Sequence, residues 1–134
     1  MGGAAPGAGA LRLLRAAAET ETRLAAALVD GLPDRALTVD RWRVLQHVAA
    51  HPGASMSDVC AALALAPATA TRAVDGLVDT ACLYREADAG DRRRVVLRPS
   101  RRGLDVLRAV APAVAHVEGD LRGVLGDLLA DRLP

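Results

Sequence analysis

The hydrophobic period of this chain changes between Asp79 and Leu83, and that change limits what the chain can become. Upstream of it, Ala70, Ala73, Val74 and Leu77 recur at i, i+3, i+4 and i+7, the spacing of one helical face, which turns Thr69, Thr71, Arg72 and Asp75 outward. Pro67 has a fixed φ and no amide proton, both tolerated in a first helical turn, so the spacing predicts a helix from Pro67 to about Asp79. Downstream, LYREA and RVVLR alternate or cluster β-branched residues around Asp88, Ala89, Gly90 and Asp91, which favour turns. A β-hairpin is predicted there. It puts Arg92, Arg93 and Arg94 at or beside the tip, so the densest positive charge sits on a protruding ribbon.

The flanking sequence is helical in pattern. Leu14, Ala18, Leu24 and Leu28 lie near helical spacing in a first helix over Leu11 to Val29, with Gly31 and Pro33 beyond its end. LTVDRWRVLQHVAAHPG predicts a second, with Thr38 or Asp40 as N-cap, Trp42, Leu45, Val48 and Ala49 inward, and His51, Pro52 and Gly53 as the stop. Ser55 with Asp58 three residues on makes a near capping box for a short third helix carrying Val59, Ala62 and Leu63. Ser100 caps a last helical region through Leu133, kinked near Pro112, loosened by Gly119, Gly123 and Gly126, and striped by Leu121, Val124, Leu125, Leu128 and Leu129. With 134 residues, 51% of them hydrophobic, the chain suits one folded domain over residues 11–134 behind a flexible tip at 1–10. A large multidomain enzyme is excluded.

The formal net charge is only +1, but its distribution is uneven. Between Arg85 and Arg102 seven Arg face three acids, a local excess that suits a polyanion. No Gly-rich phosphate loop, Ser/His/Asp arrangement or paired carboxylates appear, so no enzymatic activity is expected. Cys60 and Cys82 lack metal-ligand spacing and sit in apolar neighbourhoods, which predicts buried structural thiols in a reducing cytoplasm. His47 and His51 lie four apart, but only distant His116 could add a ligand, so no metal and no cofactor are expected. The opening MGGAAPGAGA is unlike a signal peptide, and no apolar run reaches membrane-spanning length, so no membrane association is expected.

Three helices and then a hairpin, the third helix presenting Thr and Arg, is the order of a winged helix-turn-helix. Such a helix fits the major groove of duplex DNA, and an Arg-bearing ribbon fits the adjoining minor groove. The same fold also serves as a protein-interaction or dimerisation module without touching DNA. The residues resemble the MarR (multiple-antibiotic-resistance regulator) family of winged-helix transcription factors. The similarity runs from LTVDRWRVLQHVAAHPG through MSDVCAALALAPATATRAVDGLVD to DAGDRRRVVLRPSRRG. In the last segment Asp91, Arg93, Ser100 and Gly103 match the family's wing, and TATRAVDGL is similar to its recognition helix.

The resemblance implies a mainly α fold with a small β-hairpin wing, residues 37–100 forming the DNA-binding region and residues 11–32 and 101–134 the dimerisation helices. It implies that Thr69, Thr71 and Arg72 face the major groove and that Arg93 reaches the minor groove, oriented by pairing with Asp91. Arg92 and Arg94 would support, and Ser55 and Ser57 are candidates for phosphate contacts through hydroxyl or amide. Leu11, Leu14, Leu24 and Leu28 would pack with Leu121, Leu125, Leu128 and Leu129 across a two-fold axis, or within one chain's own core. The implied partners are double-stranded DNA, a second copy of the chain and a small-molecule effector, and the implied role is a cytoplasmic repressor on a palindromic operator. Trp42 reads as a core residue, with the wall of an effector cleft as its alternative. The chain departs from the family at Ala66–Ala68, which offer no polar cap; at Ala81, where a positive φ would be strained; and at Pro99, which should shorten the returning strand. Its last helix is also shorter than is usual in the family.

Overall fold

In the computed structural model, which describes residues 3, 5–32 and 37–130, the change of period becomes a change of structure at the predicted place. The order is α1 (Ala8–Gly31), α2 (Val39–Ala50), β1 (Ala54–Ser55), α3 (Met56–Leu63), α4 (Pro67–Asp79), β2 (Leu83–Ala87), β3 (Val95–Pro99) and α5 (Arg101–Ala130). The fold is mainly helical with a small antiparallel wing, as expected. Helix α1 already includes residues 8–10, so the tip is shorter than the sequence suggested. The predicted stop at Pro33 and the predicted end at Leu133 lie outside the described residues.

The caps explain the boundaries. Thr38, not Asp40, caps α2, its hydroxyl accepting from the Arg41 amide at 3.2 Å. Ser55 and Asp58 form a complete capping box: the Asp58 amide donates to Ser55 Oγ at 3.2 Å, and the Ser55 amide donates to Asp58 Oδ2 at 2.9 Å. Helix α4 opens on Pro67 behind Ala66, which gives no side-chain cap. The Gly103 amide donates to Ser100 Oγ at 2.9 Å at the head of α5, and α5 continues through Pro112 as one helix.

The sheet has three strands in the order β1-β3-β2, one more than the predicted hairpin. Ala54 and Ser55 pair with Leu97 and Val96, a bridge too short to show any alternation in sequence. Strand β3 ends at Pro99, opposite Leu83. Ala70, Ala73, Val74 and Leu77 of α4 are all buried, as their spacing required. They join Val44, Leu45, Val48, Val59, Leu83 and Leu97 in a core that closes on Val106 and Val110 of α5. In α2 the fully buried positions are Val44, Leu45 and Val48; Trp42, predicted inward, is only half-buried at the core's edge.

Helices α1 and α5 pack antiparallel: Arg23 of α1 donates to Asp120 of α5, and Gly31 lies against Val110. A β-carbon on Gly103 would fall 2.2 Å from the Cys82 carbonyl oxygen, so the head of α5 meets the wing's root at a distance only glycine allows. Ala81 turns the chain from α4 into β2 at φ 59°, the strained torsion anticipated from its replacing a glycine.

Candidate nucleic-acid interface

The residues expected on the recognition helix divide by the face they occupy. Thr71 and Arg72 are exposed on α4, and Thr69 is half-buried. The Thr71 hydroxyl donates to the Pro67 carbonyl at 2.8 Å, leaving its lone pairs to accept. Ser57 on α3 is exposed and lines one shallow hollow with Met56, Cys60, Pro67 and Thr71, so the starts of α3 and α4 share a surface. Ser55 does not belong to it. It is buried, and its amide and hydroxyl are both engaged by Asp58, because a residue that caps α3 and pairs with Val96 cannot also face outward. That corrects its expected role in phosphate contact.

The wing turn is built by two aspartates. Asp88 Oδ1 accepts from the Gly90 amide at 3.3 Å and Asp91 Oδ1 from the Arg93 amide at 3.0 Å. The Asp88 amide donates to the Arg94 carbonyl at 2.8 Å, and the Arg94 amide to that of Asp91 at 3.0 Å. Asp91 therefore orients Arg93 through the backbone, where a side-chain pair was expected. The Arg92 and Arg93 side chains are exposed and, like that of Arg72, make no hydrogen bond or ion pair among the described residues.

Arg85, Arg94, Arg98 and Arg101 of the basic segment are engaged, Arg101 with Asp105 at 3.8 Å, whereas Arg102 pairs with no group among the described residues. Arg94, expected as a supporting contact, instead donates from Nη2 to Asp58 Oδ2 at 2.7 Å, reaching back to the first turn of α3. Arg85 donates to Asp75 of α4 at 2.5 Å, and Arg98 to Glu86 across the ribbon at 2.5 Å. The Ser55 amide and hydroxyl, and then Arg94, hold the Asp58 carboxyl below its ordinary value of 3.8. Sequence reasoning missed these pairs because the charges are brought together only by folding.

The expected dimerisation residues also divide. Leu28 is fully buried within its own chain, and Leu24, Leu121 and Leu128 are half-buried between α1 and α5. Leu11 (70% exposed), Leu14 (68%), Leu125 (41%) and Leu129 (65%) stay open to solvent, with Leu13 and Val124 beside them. Antiparallel packing brings the free end of α1 to the free end of α5, so these apolar side chains gather at one end. Among the described residues no helix is long and apolar enough to cross a membrane.

Trp42 borders a small groove with Arg43, Gln46, His47, Ala50 and Leu63. His47 and His51 stack with ring centroids 4.5 Å apart; no group of three or more His, Cys, Asp or Glu among the described residues is placed to hold a metal ion. Cys82 is buried as expected, but Cys60 is only half-buried, because the short α3 leaves its side facing the α3–α4 hollow open.

Residues 31–94, from the end of α1 through the wing turn, match the family model of the MarR family. No curated protein sequence matches the chain. Among solved structures, a cysteine-to-serine mutant of MarR from E. coli complexed with operator DNA is similar at 18% identity, with a TM-score of 0.73 over 91% of each chain. Bordetella bronchiseptica BpsR, whose DNA binding is regulated by 6-hydroxynicotinic acid, has 22% identity and a TM-score of 0.71 over 97% of this chain and 96% of its own. Rhodococcus jostii CouR, bound to p-coumaroyl-CoA, has 24% identity and a TM-score of 0.71 over 81% of this chain and 73% of its own. The structural likeness gives the shared winged-helix fold, and over residues 31–94 the sequence is similar to the MarR family.

Proposed function

We propose that this protein is a transcriptional regulator that binds double-stranded DNA sequence-specifically, as a homodimer on a palindromic operator, and that a small molecule releases it. The observation that carries the reading is the set of free guanidinium groups: Arg72 on the outer face of α4, and Arg92 and Arg93 on the wing tip. In this reading α4 enters the major groove, where Thr69, Thr71 and Arg72 meet base edges or phosphates, and Arg93 enters the neighbouring minor groove with Arg92 beside it. Ser57 meets a phosphate. Operator DNA in the MarR complex supports the DNA reading, and the ligands of BpsR and CouR support an effector. Trp42, the chain's one tryptophan, offers that effector an aromatic face. The open leucines of α1 and α5 support pairing of two copies, which aligns two recognition helices with half-sites about one helical turn apart. A dimer over a promoter blocks polymerase without further contacts, which favours repression.

The test is selection of bound sites from random duplexes, followed by affinity measurement at increasing ionic strength. One enriched palindrome is expected, with affinity falling as salt rises and Arg93→Ala weakening binding about tenfold or more at an unchanged melting temperature. Absence of any enriched site would refute the reading and leave the fold as a protein-interaction module.

A further inference from the structure

We infer that Asp58 is a positioning residue for the wing, fastening the base of the Arg-bearing turn to the first turn of α3. The carboxylate is a fixed point before the wing reaches it. Its Oδ2 accepts from the Ser55 amide at 2.9 Å, and its own amide donates to Ser55 Oγ, so the capping box sets the side chain's direction. The same oxygen accepts from Arg94 Nη2 at 2.7 Å, across 36 residues of sequence. An ordinary surface pair must order two long side chains to gain a weak attraction. Here one partner is ordered already, so only the arginine loses freedom.

Arg94 is where a fastening has most effect. Its amide and carbonyl are the closing bonds of the turn, to Asp91 and from Asp88, and the chain enters β3 at the next residue. Strand β1 supports β3 only at Val96 and Leu97, so the ribbon outward from Ala87 and Val95 has two strands alone, a construction of little stability by itself. A second tie, Arg85 to Asp75, holds strand β2 to α4. Each strand of the ribbon is thus bound to one helix of the helix-turn-helix, with Arg92 and Arg93 left free between the ties. The lowered pKa of Asp58 agrees with a carboxylate held charged by both donors. The functional consequence rests on the DNA-binding reading: the ties fix where the free guanidinium groups stand relative to α4 before DNA arrives, so less ordering remains to be done on binding.

The test uses Asp58→Asn, which keeps an oxygen for the Ser55 amide but removes the charge, and Arg94→Gln, which leaves the cap untouched. Hydrogen exchange of the full-length protein without DNA reads the tie directly. In both variants the amides of residues 88–95 should exchange faster, by about three- to tenfold, with the melting temperature within about 2 °C of wild type. On the selected duplex each variant should bind about three- to tenfold more weakly, and the double variant no more weakly than the weaker single one, because one contact has been removed either way. Unchanged exchange in both variants, or affinity losses that add in the double variant, would overturn the inference. If wild type itself binds no duplex, the DNA-binding reading falls, and exchange alone decides whether the tie exists.

Discussion

Replacing Gly103 by Ala inverts the usual effect of that substitution in a helix. In an unobstructed helix interior Gly→Ala gains about 1 kcal/mol, because glycine has more backbone freedom to lose. At position 103 the added β-carbon would lie 2.2 Å from the Cys82 carbonyl oxygen and 3.1 Å from both the carbonyl carbon and Leu45 Cδ1. Normal carbon contacts require about 3.5 Å, so α5 and the root of the wing must part by more than about 1 Å. Cys82 cannot yield freely: it is buried, its amide donates to the Leu77 carbonyl at 2.8 Å, and its carbonyl accepts from the Ser100 amide at 3.0 Å. Overpacking of this kind costs about 1–3 kcal/mol and weakening the Ser100 bond about 1 kcal/mol more. Against the helix gain, the net loss is about 2 kcal/mol, or about 6–8 °C in melting temperature for a domain of this size. Gly119→Ala in the same helix, where a β-carbon meets nothing within 4 Å, is the control and should gain about 0.5–1 kcal/mol. Urea unfolding at one fixed protein concentration measures both, with the slope compared to establish that the denatured state is unchanged. A Gly103→Ala midpoint at or above wild type, with the same slope, would refute the argument from close approach.

Three further outcomes follow from positions already described. Ala81→Gly should stabilise by about 0.5–1 kcal/mol in the same urea assay, since relief of a left-handed alanine, about 1–2 kcal/mol, exceeds the added freedom of the unfolded chain. Asp58 has a folded pKa below its ordinary 3.8, so its contribution is present above that value and is lost as pH falls through the folded pKa. Melting temperatures of wild type and Asp58→Asn should therefore differ by no more than about 2 °C at pH 6 and converge as pH falls below the folded pKa of Asp58. Leu129→Glu should leave the fold intact, because the side chain is 65% exposed, but should weaken self-association about tenfold or more by sedimentation velocity; an unchanged dimer would place the two-fold contact elsewhere.

The helix ends were legible in the sequence because capping is local. Thr38, the Ser55–Asp58 box, Pro67 and Ser100 each act within one turn, and each marks a boundary the structure observes. The buried face of α4 was legible because four positions at helical spacing admit one orientation. Strand β1 was not, since two residues carry no alternation and Ser55 already read as a cap. Leu28 was ambiguous for a related reason: a leucine stripe marks the buried side of a helix without saying whether its own chain or a second copy covers it. At the candidate site, Arg72, Arg92 and Arg93 were found by residue type and place, whereas the engagement of Arg85 and Arg94 depends on carboxylates 10 and 36 residues away that only folding brings near.

The division of the arginines into tethered and untethered groups bears on how steeply the protein's hold on a duplex responds to electrolyte. Each cation that neutralises a phosphate displaces condensed counterions and adds about −0.9 to the logarithmic dependence of affinity on salt. Treating all seven arginines from Arg85 to Arg102 as available would give a slope of about −6 per subunit. With Arg85, Arg94, Arg98 and Arg101 paired with carboxylates, Arg92, Arg93 and Arg102 are left of the seven and give a slope of about −3. A shallower dependence leaves a larger share of discrimination to base edges and groove shape, the part of recognition that survives at the ionic strength of a cell.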